Sequence, residues 1–144
     1  MKLPKLNFED IFDFQIKKDK DKFFIYDLAR KSWLQLTPEE WVRQHWLHYF
    51  HFKKKRNFSS LILEKKLELN GTIKRIDLLV TEKTIPKILV ECKAPYIKIT
   101  EKTFEQIARY NSVIGAEQII ISNGLQHINA KFTENNYEFV KFEF

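Results

Sequence analysis

The stretch ILVECKAP, residues 88–95, runs three aliphatic residues into Glu91-Cys92-Lys93. Side chains alternate along a strand, so Glu91 and Lys93 share one face, a pleat apart. Charges at the end of an apolar strand cost desolvation energy unless something compensates them. Fourteen residues before Glu91, in NGTIKRIDLLV (70–80), Asp77 lies in a second apolar-alternating run. If the two runs pair about a loop at 81–86, Asp77 and Glu91 stand side by side at one sheet end. Neighbouring carboxylates repel and raise each other's pKa unless a cation separates them. Carboxylate, carbonyl and water oxygens suit Mg²⁺ or Mn²⁺, and the backbone carbonyl of Cys92 points into the same space. Lys93 then flanks the metal, where an ammonium stabilises or positions a nucleophilic water or hydroxide. These are the parts of metal-assisted phosphodiester hydrolysis.

The elements that must position these residues are legible around them. Asn70-Gly71 between alternating runs predicts a tight hairpin, and residues 87–93 add a third strand to an antiparallel meander. Arg75 and Asp77 are expected on one face of the second run, and Ile76, Leu78 and Val80 on the other. Thr37-Pro38-Glu39-Glu40 predicts a helix start, with Thr37 as N-cap and Glu40 at the capping-box position. Val42, Trp46, Tyr49 and Phe50 carry an apolar stripe to about residue 51. Residues 101–114 form a second helix with Phe104, Ile107, Ala108 and Asn111 on one stripe and Gly115 as its stop. Residues 117–123 are a buried strand, so strand, helix and strand make a βαβ unit with parallel pairing. Runs at 125–132 and 137–144 add two strands around Asn135-Asn136. Residues 11–16 and 22–28 form an N-terminal hairpin around the charged turn KKDKD. The expected fold is α/β: a mixed central sheet flanked by helices, one domain with a hairpin extension over 1–36 and a core over 37–144.

An Asp on one strand and Glu-x-Lys on the next is the short signature of the PD-(D/E)xK nucleases. TPEEWVRQ, NGTIKRIDLLV, LVECKAP and TFEQIARYN…SNGLQH, in that order from about residue 24 onward, resemble the N-terminal nuclease domain of type I restriction enzyme motor subunits. The resemblance implies a restriction-endonuclease-like fold and Mg²⁺-dependent DNA cleavage. It assigns metal ligation to Asp77 and Glu91 and catalysis to Lys93. Gln106 and Tyr110 match a Q-x-x-x-Y pair that lies near the site in this group. Their i, i+4 spacing puts both on one helix face, suited to DNA or to the catalytic lysine. Glu40 matches a first-helix glutamate that helps hold metal in the superfamily. Type I subunits continue into a helicase motor, whereas no G-x-x-x-x-G-K-[ST] loop occurs here, so no ATP site is expected in this chain. Restriction-modification subunits or a second copy of the chain are the expected protein partners.

Composition sets the outer bounds. The chain is 44% apolar with 3 Gly and 4 Pro, which suits a globular domain, and Cys92 stands alone, so neither a disulfide framework nor a cysteine zinc site is available. No apolar run is long enough for a membrane helix, and a reducing cytoplasm is expected. The net charge of +6 agrees with a nucleic-acid partner. Lys53, Lys54, Lys55 and Arg56 read equally as phosphate contacts or as a solvated helix end. Arg75 reads as a phosphate contact or as a salt-bridge partner of Asp77. Glu40 reads as metal ligand or helix cap. Glu64 reads as a support for the site or, with better reason, as a solvated cross-strand charge. His45, His48 and His51 lack a further ligand at zinc spacing and read as aromatic packing. A catalytically silent nucleic-acid-binding or assembly module is the rival to the nuclease. The acid pair favours the nuclease, since acids beside phosphate repel DNA unless metal is present.

Overall fold

A computed structural model describes residues 2–144. Its main sheet has six strands in sequence order: β4 (Leu61–Leu69), β5 (Thr72–Glu82), β6 (Ile85–Cys92), β7 (Gln118–Ser122), β8 (His127–Thr133) and β9 (Asn136–Phe139). Only β6 and β7 are parallel, joined across helix α2 (Glu101–Ile114); every other pair is antiparallel. A smaller antiparallel sheet comprises β1 (Ile16–Asp19), β2 (Lys22–Asp27) and β3 (Ser32–Gln35). Helix α1 (Pro38–His48) follows it and runs into a π turn at Tyr49–Lys53. The expected mixed sheet with flanking helices is therefore present.

The two helices cover opposite faces of the main sheet. Val42, Trp46 and Leu47 of α1 pack with Leu78, Val80, Val90 and Ile120, whereas Ile107 of α2 packs with Ile76, Leu79, Leu89, Ile119 and Ile121. Thr37 caps α1 by accepting from the Glu40 N–H at 3.0 Å. Gly115 ends α2 in the left-handed region at φ +78, with its N–H returning to the Asn111 carbonyl. Buried Asn111 is satisfied: its Nδ2 donates to the Ala116 carbonyl and Tyr137 Oη, and its Oδ1 accepts from the Ala116 N–H.

Several expectations are corrected. Residues 11–15 are not a strand; β1 begins at Ile16, and a third strand, SWLQ, completes the small sheet. The loop expected at 81–86 is a two-residue turn, with Glu82 paired to Ile85 and positive φ at Lys83 and Thr84. The last turn falls at Glu134-Asn135, one residue earlier than expected, and β9 stops at Phe139. Face alternation also breaks at Asp77. Ile76 packs on the α2 side, but Leu78 and Val80 pack on the α1 side. The β4–β5 ladder pairs Leu63 with Leu78 and Lys65 with Ile76, skipping Glu64 and Asp77, and Glu64 holds φ at +54. A left-handed residue opposite the acid twists the pair locally and re-aims Asp77.

Candidate active site

Asp77 and Glu91 come from neighbouring strands, and both are buried, at 7% and 2% exposure. Asp77 Oδ2 accepts the Cys92 backbone N–H at 2.8 Å, which stitches β5 to β6 where their ladder pairing has ended. Asp77 Oδ1 has Arg43 Nη1 at 3.4 Å. Burial, and next the charge of Glu91, push the Asp77 carboxyl up to about 7 from an ordinary 3.8. Glu91 Oε2 accepts from Lys74 Nζ at 2.8 Å and has Lys93 Nζ at 3.5 Å; its Oε1 is buried without a partner. Lys93 follows directly on β6 and is anchored by its N–H to the Ser122 carbonyl at 2.8 Å. The structure thus brings Asp77, Glu91 and Lys93 together at one strand end. The Cys92 thiol is buried in the α1-side core, where burial raises its pKa well above the ordinary value.

Behind the acid pair lies a network of charges. Arg43 grips Glu40 through Nε at 3.2 Å and Nη2 at 2.8 Å, and reaches Glu64 at 3.2 Å. Arg30 spans Glu64 at 2.8 Å and Asp27 at 2.9 Å. Gln44 Nε2 donates to Asp27 at 2.9 Å and Glu40 at 3.0 Å. Opposed charges and several hydrogen bonds per carboxylate are what make such burial tolerable.

This network changes the reading of three residues. Glu40, which the sequence left open between metal ligand and helix cap, has its carboxylate turned to Arg43 and Gln44. Its neighbour Glu39, exposed on the first turn of α1, is the helix acid that senses the site: desolvation first, then Asp77, raise its pKa, opposed by Arg43, Lys93 and Lys74. Glu64 is no solvated cross-strand charge, since it bridges two arginines. Arg75 is exposed, and the cation beside Asp77 is Arg43 from α1 instead.

The α2 residues divide. Tyr110 is buried and lines a cleft beside the β4–β5 turn. Gln106 is exposed and forms no hydrogen bond with Lys93 or the acids; it lines a cleft with the β4–β5 turn. Of the two contacts expected for Gln106, with DNA or with Lys93, the one with Lys93 is absent. Lys53 is held by Glu9 at 3.3 Å and Asp10 at 3.7 Å. Lys54, Lys55 and Arg56 border a cleft over Ile88 and Gln118, where the β6–β7 pairing opens, three residues from Glu91 along β6. His45 and His48 pack among Phe12, Phe14 and other rings, and His51 stacks on Phe58 at 3.7 Å, so the aromatic reading of these histidines holds. Sequence reading missed Lys74 and Arg43. Lys74 carried a usable signal: it sits three residues before Asp77 in the run that pairs with Glu91's strand. Arg43 sits one turn after Glu39 and Glu40.

Among the described residues, no three His, Cys, Asp or Glu side chains gather as a ready metal cage, and no helix is long and apolar enough to cross a membrane. With an acid pair and a lysine at one strand end of a mixed sheet, the chain is a restriction-related, nuclease-like domain by its family match. Residues 38–143 match the family described as type I restriction enzyme R protein N terminus, and the chain belongs to that family. Among curated proteins and solved structures, none matches it.

Proposed function

We propose that the protein is a metal-dependent DNA endonuclease of the PD-(D/E)xK type, acting with Mg²⁺ or Mn²⁺. The observation that carries the reading is the pair of buried carboxylates, one pushed up to about 7 and the other with a buried, unpartnered Oε1. Structural salt bridges rarely leave such an atom empty. The donor set fits a hard divalent cation: Asp77 and Glu91 would hold it with the Cys92 carbonyl, leaving the remaining positions to water. Glu39, rather than Glu40, is the α1 acid placed to join through water or on substrate binding. A bound cation supplies charge stabilisation at the phosphoryl oxygens and lowers the pKa of water. Lys93 orients the attacking water and stabilises charge on the phosphate, while the Cys92 N–H fixes the Asp77 carboxylate. Arg43 holds Asp77 from behind, and Lys74 holds Glu91. Membership of the restriction R-protein family supports DNA as substrate and restriction-modification subunits as partners.

The rival reading, a silent nucleic-acid-binding or assembly module, has one observation in its favour. Lys74, Lys93 and Arg43 already surround the acids with positive charge. Cleavage of supercoiled and linear duplex with Mg²⁺ or Mn²⁺, beside calorimetric metal titration, separates the two. Asp77→Ala, Glu91→Ala and Lys93→Ala should each abolish cleavage, with Lys93→Ala still binding Mn²⁺. A wild type that neither binds metal nor cuts DNA leaves the silent module standing.

A further inference from the structure

The face of α2 next to Lys74 bears a feature that the acid pair does not use. Leu69, Asn70 and Thr72 of the β4–β5 turn and Gln106, Arg109 and Tyr110 of α2 line a cleft of about 160 Å³. That is the space of roughly five waters at about 30 Å³ each, enough for one hydrated phosphate. Five of the six lining residues carry a side-chain hydrogen-bond donor, and none is a carboxylate. Arg109 is exposed there and makes no ion pair among the described residues, unlike Lys53 in the other basic cluster, which Glu9 and Asp10 neutralise. The cleft also lies close to the acid pair: Thr72 lines it two residues before Lys74 on β5, on the same face of the strand, and the Lys74 ammonium is 2.8 Å from Glu91.

We propose that this cleft is a phosphate subsite for the DNA backbone beside the scissile position, with Arg109 as its cation and Gln106, Asn70 and Thr72 as neutral donors. The strand would then leave the acid pair between α2 and the β4–β5 turn, away from Lys54, Lys55 and Arg56. The assignment rests on the part of the proposed function that makes DNA the ligand of this domain. A guanidinium in a donor-lined notch grips two phosphate oxygens at once, which a lysine cannot reproduce.

The test is metal-free binding of a labelled random-sequence duplex in EDTA, followed by fluorescence anisotropy from 50 to 300 mM KCl (roughly the range over which phosphate contacts are lost). Arg109→Ala should weaken binding about three- to tenfold and reduce the slope of log Kd against log salt by about one phosphate contact. Arg109→Lys should restore the slope but not the affinity. The triple change of Lys54, Lys55 and Arg56 to Ala should leave the slope closer to wild type than Arg109→Ala does. Because Arg109 is exposed, the melting temperature should not move. An Arg109→Ala protein with wild-type affinity and slope overturns the subsite, as does weaker binding with an unchanged slope, or a wild type that binds no duplex. The outcome is separable from the nuclease reading. A protein that binds through Arg109 but never cuts keeps the subsite and loses the enzyme. One that cuts normally with an unchanged Arg109→Ala slope does the reverse.

Discussion

Glu39 and Glu40 adjoin in sequence, and the structure gives them opposite duties that two substitutions can separate. Glu40 is 6% exposed and accepts two bonds from Arg43, at 2.8 and 3.2 Å, and one from Gln44 at 3.0 Å. Removing its carboxylate strands a guanidinium that is itself nearly buried. Breaking a buried pair from one side costs about 3–5 kcal/mol. Arg43 keeps Glu64 at 3.2 Å and Asp77 at 3.4 Å, so the lower end applies, about 3 kcal/mol. Against a typical stability of about 5–15 kcal/mol, that is a large fraction, and it lowers the melting temperature by roughly 10 °C for a domain of this size. Glu39 is exposed and unpaired in hydrogen bonding, so Glu39→Gln should change stability by no more than about 0.5 kcal/mol. Metal binding should reverse the order. Glu39→Gln should weaken Mn²⁺ binding several-fold, while Glu40→Ala, in the fraction that stays folded, should bind Mn²⁺ nearly as wild type. Urea denaturation and calorimetry of both variants supply the numbers. A Glu40→Ala protein with wild-type stability and lost metal binding would refute the reasoning and return Glu40 to the metal.

Two further outcomes are expected. Gln106 touches neither Lys93 nor the acids, so Gln106→Ala should act on DNA affinity, by up to about tenfold for one lost hydrogen bond, and spare the rate of the cleavage step; a hundredfold loss in kcat would contradict this. His45 is 7% exposed among aromatic rings, and burial lowers its pKa from 6.5 to about 4. The unfolded chain therefore takes up a proton near 6.5 that the folded protein resists to about 4. Stability is fully present above pH 6.5 and is lost as pH falls toward 4, by roughly 3 kcal/mol at about 1.4 kcal/mol per pH unit. His45→Phe should flatten that part of the pH–stability curve, measured by urea midpoints at pH 7 and 4.5. A slope equal to wild type would place the acid sensitivity elsewhere.

Strand patterning pointed to the site because Asp77 sits in an alternating run whose register with β4 follows from one Asn-Gly turn, and Glu91 and Lys93 close the aliphatic run of β6. The second turn was harder to see. Lys83-Thr84 takes two positive φ values with neither Gly nor Asn, so tertiary pairing of β5 with β6 overrides local preference there. The break in alternation at Asp77 was not legible either, since it arises from Glu64 on the partner strand. The choice between Glu39 and Glu40 depended on where Arg43 points, and capping chemistry favours an acid at either position. Gln106 shows what helical spacing does and does not say: i, i+4 places it in one cleft with Tyr110, but not that Tyr110 is buried there while Gln106 is exposed.

The network joining Asp27 and Arg30 to Glu40, Arg43 and Glu64 bears on where this domain begins. Family similarity starts at Pro38, and a boundary drawn there would treat everything earlier as an appendage. The wiring crosses that line. Asp27 is 0% exposed and accepts from Gln44 of α1, and Arg30 closes the circuit to Glu64 on β4. The leading segment adds its own clasp: Trp41 Nε1 donates to the Pro4 carbonyl at 3.0 Å, and Leu6 packs so tightly on Gly124 that an added Cβ there would meet it at 2.7 Å. A shortened chain starting at residue 37 would keep both members of the acid pair and lose Asp27, which Gln44 donates to, and Arg30, one of the two arginines on Glu64. The buried contacts therefore reach beyond the segment that the family match covers, and a chain cut at residue 37 should unfold at lower urea than one that keeps residues 4–36.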